Sequence, residues 1–234
     1  MDPYPATDLC SGLRYAPPLK FGVSPLMIGP RKYTSATHDF FGEVAALIIN
    51  LASFNTATEA FNYSVTTIPN ARDHAPTLFG RVVHATFPIH DLMHSIVRNN
   101  WPEELNLTFV SGSSAVAQSP GGVHLQSDAI ANMIIQLVGT AFLKYYERNS
   151  QRAKRAFTSD QKLWPEEWRF AWLLRNAIAH GDRWAINDPA FPETCWHGVK
   201  VLQSDSGQCW FNSQRFIGGG DVLLLLEELN ASPI

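Results

Sequence analysis

Apolar side chains recur every three or four positions in four stretches of the chain, a period that predicts helices. The first stretch runs from Thr37 to about Tyr63, as one helix or two, and the second from about Thr77 to Asn99, where Pro88 should kink or restart the helix. The third begins at Asp128 and ends near Asn149, and the fourth extends from Pro165 to His180. Because such helices joined antiparallel form a bundle, we predict a mainly α protein with an antiparallel four-helix bundle.

The two ends of the chain depart from this helical pattern. Six prolines lie within residues 1–36, which argues against a helix and predicts a Pro-rich N-terminal arm. Near the other end, segments 198–203 and 208–213 flank a Ser-Asp-Ser-Gly turn, which predicts a small β-hairpin, and Asp221 should cap a short final helix. The predicted domains are the arm at 1–36, the bundle at 37–182, and an extension at 183–234 that packs on the bundle.

Composition places the chain among globular proteins. Hydrophobic residues make up 45% of it and charged residues 17%, which is too apolar for a disordered chain. The formal net charge is −3, so any contact with nucleic acid requires a local basic patch. The three cysteines form no Cys-x-x-Cys pair, which argues against a disulfide framework and against a cysteine zinc site. We expect neither a metal nor another cofactor.

No segment of the sequence is typical of a protein that enters a membrane. The first ten residues, MDPYPATDLC, are acidic and contain prolines, and they lack the apolar core of a signal peptide. The best candidate for a membrane span, Ala129 to Leu143, is only 15 residues long and contains Asn132 and Gln136. We therefore expect a soluble, cytoplasmic protein.

The end of the fourth predicted helix carries a group of polar residues. In the sequence LLRNAIAHGDRW, Arg175, Asn176 and His180 interrupt an apolar run. Gly181 follows and should end the helix. On a regular helix Arg175 and His180 point about 140° apart, so they converge only if the helix distorts or if a second copy contributes one of them. In the simplest interpretation Arg175 extends to solvent or stacks on a tryptophan, Asn176 is exposed, and His180 caps the last carbonyls.

The same residues resemble a family signature. RNAIAH, residues 175–180, fits the Arg-x4–6-His motif of the HEPN superfamily, in which Asn, Asp or His usually follows the arginine, as Asn176 does here. HEPN domains are helical bundles that carry this motif in a late helix, and the predicted elements from Thr37 to Asp182 are compatible with that order. The resemblance implies a homodimer whose two motifs face a shared cleft. Many members act in phage defence or toxin–antitoxin systems, which implies a neutralising or regulatory protein partner.

What the resemblance implies for chemistry is a metal-independent endoribonuclease or an RNA-binding protein. Arg175 and His180 become the candidate catalytic pair, and Asn176 a supporting polar residue. Metal-free cleavage of RNA uses the ribose 2′-hydroxyl as nucleophile, a histidine can take or give the proton, and a guanidinium can hold the phosphate as charge builds on it. Other members only bind RNA or protein, so the alternative is a non-catalytic interaction module in a regulatory or defence complex.

A local excess of positive charge precedes the motif. Between residues 144 and 162, six lysines and arginines are opposed by two acidic residues, a local net charge of +4. Such a run is typical either of a solvated helix end and loop or of a surface that contacts phosphates, and its place beside the motif favours the second. The candidate RNA-binding residues are Arg148, Arg152, Lys154, Arg155, Arg169 and Arg183.

A competing pair of histidines lies in the second predicted helix. The sequence IHDLMH places His90 and His94 four residues apart, on one face of a helix, a spacing that can bind a metal ion. It differs from the zincin pattern because Asp91, and not a glutamate, follows the first histidine, and no third ligand is evident. Ordinary hydrogen bonds on a partly buried helix explain the pair better, and a metal-dependent hydrolase that uses it is the third hypothesis.

Overall fold

The computed structural model describes residues 28–63, 76–88, 98, 100–113 and 128–234. Within this part of the chain, four helices and two antiparallel sheets form a mixed α/β fold, so the prediction of a mainly α four-helix bundle is wrong. The helices are α1 (Phe41–Tyr63), α2 (Asp128–Ala156), α3 (Glu166–Ala179) and α4 (Gly219–Ala231). The strands are β1 (Gly29–Thr34), β2 (Thr77–Leu78), β3 (Val83–Thr86), β4 (Glu104–Ser111), β5 (Thr194–Trp196) and β6 (Val199–Val201).

The larger sheet has the strand order β1–β4–β3–β2, and every pair is antiparallel. The inner strand β4 alternates exposed and buried side chains, with Leu105, Leu107 and Phe109 buried. This period of two in ELNLTF is the pattern of a half-buried strand, and the helical interpretation missed it. The rest of the sheet depends on this strand, because β4 pairs with both β1 and β3.

The second predicted helix, Thr77–Asn99, is wrong over residues 77–86, which contain β2, β3 and the connection between them. The second of these strands, VHAT, pairs with β4 and packs against α4. Strand pairing and burial outweigh the weak tendency of such a short segment to form an isolated helix. His90 and His94, the candidate metal ligands, lie outside the described residues.

The last residues of the predicted N-terminal arm form β1, an edge strand of the described sheet. Pro30 is compatible with this position because edge strands tolerate a residue without a backbone donor. The buried Tyr33 donates its hydroxyl hydrogen to the Glu227 carboxylate of α4, with an O–O distance of 2.8 Å. Arg31 forms an ion pair with the same carboxylate at 3.1 Å. Residues 29–34 are therefore fastened to the C-terminal helix.

A C-terminal hairpin is present, and the predicted segment 198–203 contains its strand β6, but the partner strand and the turn differ from the prediction. β5 pairs with β6 through a turn at His197 and Gly198, which both have the positive φ that a tight hairpin turn requires. The predicted turn around Asp205 is instead part of a 3-10 turn at residues 203–205. The buried Asp205 carboxylate accepts the N–H of Leu202 at 2.8 Å, and this local bond curls the chain away from an extended strand.

The other predicted helices are confirmed as α1, α2 and α3, although α2 continues to Ala156. The predicted final helix is α4, and Asp221 lies in its first turn, where its carboxylate accepts the N–H of Gly218 at 2.9 Å. None of the helices in the described ranges has both the length and the apolar character needed to cross a membrane.

The Asp221 side chain also joins α4 to the β2–β3 connection. Its carboxylate is fully buried and accepts four backbone hydrogen bonds of 2.5–2.9 Å. The donors are the N–H groups of Arg81, Val82, Val83 and Gly218. Burial raises the pKa of this carboxyl above its usual value, against the opposing effect of the four hydrogen bonds.

Glycines allow the backbone of α4 to approach this connection so closely. A Cβ atom on Gly218 would collide with the carbonyl oxygen of Phe79, and one on Gly220 would collide with that of Val83. The sequence GGGD is therefore a docking element in which glycines provide space and aspartate provides the hydrogen bonds.

Candidate functional site

Helix α3 carries the motif and attaches to the core by its apolar side. It begins at Glu166, one residue after the predicted start, and Pro165 is its N-cap. The side chains of Phe170, Leu173, Leu174 and Ala177 are buried together with those of Trp168 and Ala171. Arg175 and Asn176 are half-buried and His180 is exposed, so the amphipathic pattern of α3 leaves the motif on the surface of the described fold.

The helix ends at the motif histidine. The backbone N–H of His180 donates to the carbonyl oxygens of Asn176 at 3.0 Å and Ala177 at 3.3 Å. Gly181 follows with a φ of 82° and ends the helix, as predicted. The His180 side chain does not cap the carbonyls: it forms no hydrogen bond, ion pair or ring contact with any residue that the structure describes. Both imidazole nitrogens are therefore available to a ligand.

Two polar neighbours hold the guanidinium of Arg175. Its Nε donates to Glu147 Oε1 of α2 at 2.6 Å, and its Nη1 donates to Asn176 Oδ1 at 3.3 Å. The side chain is 35% exposed and, within the described ranges, does not stack on a tryptophan. Since a guanidinium has five N–H groups in a planar fork, the groups that are not used here can still bind an anion.

Arg175 and His180 do not meet within one chain. α3 is a regular helix up to Ala179, so the two side chains keep the divergence of about 140° expected from helical geometry. Asn176 lies between them: its amide oxygen accepts from Arg175, and its position four residues before His180 places both on one face. Arg175 and Asn176 are thus in direct contact, whereas Asn176 and His180 share a helix face without a contact.

The packing of α2 against α3 fixes the loop that follows the motif. A Cβ on Gly139 of α2 would lie 3.1 Å from Cγ2 of Ile178, so this glycine allows the two helices to pack closely. Nearer the start of α2, Gln136 Nε2 donates to Asp182 Oδ2 at 2.7 Å. The other oxygen of Asp182 accepts the indole N–H of Trp210 at 3.1 Å. Gln136 and Trp210 therefore hold Asp182 in place, two residues after His180.

The predicted basic surface divides between two faces. Arg148 and Arg152 turn toward the start of α1, where they form ion pairs with Glu43 at 2.5 Å and Asp39 at 3.2 Å. These two arginines therefore serve contacts within the fold. Because their charges are partly neutralised, they are weaker candidates for phosphate binding than the sequence indicates.

The four remaining basic candidates also differ from one another. Lys154 and Arg155 are exposed near the end of α2 and form no ion pair within the described part of the chain. Arg183 is exposed and donates one hydrogen bond to the Gly207 carbonyl at 2.7 Å. Arg169 is mostly buried, and its Nη1 reaches the Lys162 carbonyl at 3.4 Å. Lys154, Arg155 and Arg183 are therefore the cations best placed to bind a phosphate.

Tyr146 is a neighbouring hydroxyl that is not a candidate base. Its side chain is buried between α2 and α3. Burial raises the pKa of the Tyr146 phenol far above its usual value, the charge of Glu147 raises it further, and the charge of Arg175 lowers it. The phenol therefore stays neutral and cannot accept a proton near neutral pH.

Two residues of this surface were not predicted from the sequence. Trp172 lies one helical turn before Asn176 and stacks on Phe191, with ring centroids 4.9 Å apart. The spacing of Trp172 from Asn176 is visible in the sequence and marks the tryptophan as a neighbour of the motif. Glu147 gives no comparable signal, because only the packing of α2 on α3 selects it as the partner of Arg175.

Known proteins give no further indication of the site. The chain matches no family model, no curated protein and no solved structure. In the described ranges, no group of three histidine, cysteine, aspartate or glutamate side chains is placed to hold a metal ion. The resemblance to the HEPN superfamily consequently depends on the motif RNAIAH alone.

Proposed function

We propose that this protein binds RNA and cleaves it as a metal-independent endoribonuclease through Arg175, Asn176 and His180. The proposal depends on the exposure and the hydrogen bonding of these side chains. The exposed His180 side chain has no partner among the described residues. Arg175, five residues earlier on α3, donates to Glu147 of α2 and to Asn176, and its remaining N–H groups are available. One helix thus carries both an imidazole and an oriented guanidinium, although the two side chains point in different directions within one chain.

The reaction that suits these groups is internal transesterification. His180 removes the proton of the ribose 2′-hydroxyl, and the 2′-oxygen attacks the adjacent phosphorus. The bond from phosphorus to the 5′-oxygen breaks, and that oxygen takes a proton from the protonated His180 imidazole, which leaves a 2′,3′-cyclic phosphate and a 5′-hydroxyl. Arg175 binds the phosphoryl oxygens as negative charge builds on them, and its fork matches two of them at once.

The proposal includes a homodimer, because Arg175 and His180 diverge within one chain. A second copy that faces α3 places its His180 opposite the Arg175 of the first copy. Each site then takes its guanidinium from one protomer and its imidazole from the partner. The two motifs share one cleft, as the family resemblance implies.

The decisive experiment measures cleavage of a mixed-sequence RNA oligonucleotide in excess chelator. We expect cleavage to continue without free metal and the upstream products to end in a 2′,3′-cyclic phosphate. The matched control has a 2′-deoxy sugar at the cleaved position and should stay intact, because it lacks the nucleophile. Binding of the RNA without cleavage, or cleavage of the deoxy control at the same position, would contradict the proposed reaction.

Lys154 and Arg155 should contribute to RNA affinity by binding phosphates. For Lys154→Ala and Arg155→Ala, we expect weaker RNA binding and a decrease of about 0.7 in the slope of log affinity against log salt for each phosphate that is no longer neutralised. The measurement is fluorescence anisotropy with a single-stranded oligonucleotide at several salt concentrations.

Arg152→Ala is the matched control for these variants. Arg152 also lies near the end of α2 but already pairs with Asp39, so its loss should leave the salt slope nearly unchanged. An equal change of slope for Arg152→Ala and Lys154→Ala would show that the division of the basic residues into two groups does not govern RNA binding.

One observation favours a second candidate function, an RNA- or protein-binding module without catalysis. The Glu147 carboxylate lies 2.6 Å from Arg175 Nε and places a negative charge next to the site where a phosphate would bind. This charge opposes the close approach of a second anion. Tight RNA binding together with intact RNA after prolonged incubation would support this function over the ribonuclease.

A further inference from the structure

Trp172 differs from the other tryptophans in the C-terminal half of the chain. The other five beyond residue 128 have at most 4% of their surface exposed, whereas Trp172 is only partly buried. Its ring stacks on Phe191, with centroids 4.9 Å apart and ring planes 16° from parallel, and Phe191 is also partly buried. The two stacked rings pack against the core and are also partly exposed at the surface.

The turn that presents Phe191 is well anchored. The Phe191 N–H donates to the Asp188 carbonyl at 2.9 Å, and the Ala190 N–H donates to Asp188 Oδ1 at 2.8 Å. Lys162 Nζ lies 2.6 Å from Asp188 Oδ2, and this hydrogen bond holds the pKa of the carboxyl below its usual value. The position of Phe191 beside α3 is therefore set by side-chain and backbone bonds together.

Trp172 belongs to the same helix face as the motif. Trp172, Asn176 and His180 follow one another at intervals of four residues, which places them in one row with about 6 Å of helix between successive members. Arg175 lies three residues after Trp172 and places a partly exposed guanidinium near this row. The aromatic pair therefore lies next to the groups that are proposed to contact the phosphate.

We propose that Trp172 and Phe191 form a stacking platform for one unpaired RNA base next to the cleaved phosphate, an inference that rests on the function proposed above. Aromatic rings bind single-stranded nucleic acid by stacking on the base, and the nearby guanidinium of Arg175 complements the charge of the backbone. A base inside a duplex is already stacked on both sides and cannot occupy the platform. The site thus takes a single-stranded RNA and has little preference among the four bases at this position.

The experiment uses a 2′-O-methyl oligonucleotide, which cannot be cleaved through its 2′-oxygen, and places an abasic residue at each position in turn. We expect wild-type protein to bind the oligonucleotide about ten-fold more weakly when the abasic residue occupies the platform position. Trp172→Ala should bind the intact oligonucleotide about ten-fold more weakly and should no longer distinguish that abasic position. Trp172→Phe should retain most of the affinity and the discrimination, because a flat ring remains.

Trp101→Ala provides the matched control, because Trp101 is a tryptophan with 58% of its surface exposed in the loop before β4. Its affinity and its abasic profile should equal those of the wild type. Thermal unfolding of each variant, followed by circular dichroism, identifies any loss of affinity that comes from unfolding. Equal affinities of wild type and Trp172→Ala, or the same abasic profile for both, would overturn the platform.

Failure of the platform and failure of the proposed ribonuclease give different results. Cleavage of ordinary RNA in chelator together with unchanged binding by Trp172→Ala refutes the stacking platform and supports the ribonuclease. Binding that depends on Trp172, without cleavage of ordinary RNA, supports the platform and refutes the ribonuclease. Absence of both binding and cleavage refutes both.

Discussion

His180→Ala is expected to lower kcat for RNA cleavage about 100- to 10,000-fold, because the variant loses the proposed proton-transfer group. The free energy of unfolding should change by less than about 0.5 kcal/mol, since the side chain is exposed and has no partner in the described structure. The measurements are single-turnover cleavage in excess chelator and urea unfolding. A large loss of kcat without a loss of stability separates a chemical role from a structural one.

Two further variants make this result specific. His38→Gln replaces a histidine that is hydrogen-bonded to Thr34 in the turn before α1, and it should leave kcat unchanged. Arg175→Lys keeps the positive charge but removes the fork, and we expect a fall in kcat of about 100-fold. A wild-type value of kcat for His180→Ala would show that this histidine does not transfer the proton.

Asp221→Ala is expected to lower the free energy of unfolding by about 4 kcal/mol, because it deprives four backbone N–H groups of their acceptor. Asp221→Asn retains one acceptor oxygen but directs an NH2 group at backbone donors, so we expect a loss of about 2 kcal/mol. Urea denaturation followed by circular dichroism measures both. The asparagine variant keeps the test valid if the alanine variant does not fold, since small domains have only about 5–15 kcal/mol of stability.

Asp160→Ala is the control for Asp221. Asp160 is exposed, and its carboxylate accepts a single backbone N–H, that of Lys162 at 3.0 Å, so its loss should cost less than about 1 kcal/mol. A similarly small effect for Asp221→Asn would show that the buried carboxylate does not hold α4 on the sheet.

Local patterns predicted the helices well and the sheet poorly. The period of 3.6 residues identified α1, α2 and α3, and Pro165 and Gly181 marked the two ends of the motif helix. β4 also carries a local signal, the alternation of exposed and buried side chains, which the helical interpretation missed. β2 and β3 are shorter, and residues 77–86 become strands because α4 and β4 bury them.

The candidate site shows the same difference between local patterns and tertiary contacts. Its residues were found from the sequence, because Arg175, Asn176 and His180 are close in the chain and their divergence follows from helix geometry. The basic stretch was predicted as one surface, but Arg148 and Arg152 face α1. A charge count cannot separate these arginines from their neighbours, because the partner of each one depends on how α1 packs on α2.

The sequence by itself determined the helical segments, the termination of α3 and the exposure of its motif face, because each depends on residues within a few turns of one another. Only the tertiary structure decided which charges are paired, where Asp221 is buried and what holds Arg175 in place. Those features join residues far apart in the chain: Asp221 meets Val83, and Arg175 meets Glu147. Distant side chains contact each other only when the packing of whole helices and strands brings them together. A local sequence pattern does not determine that packing.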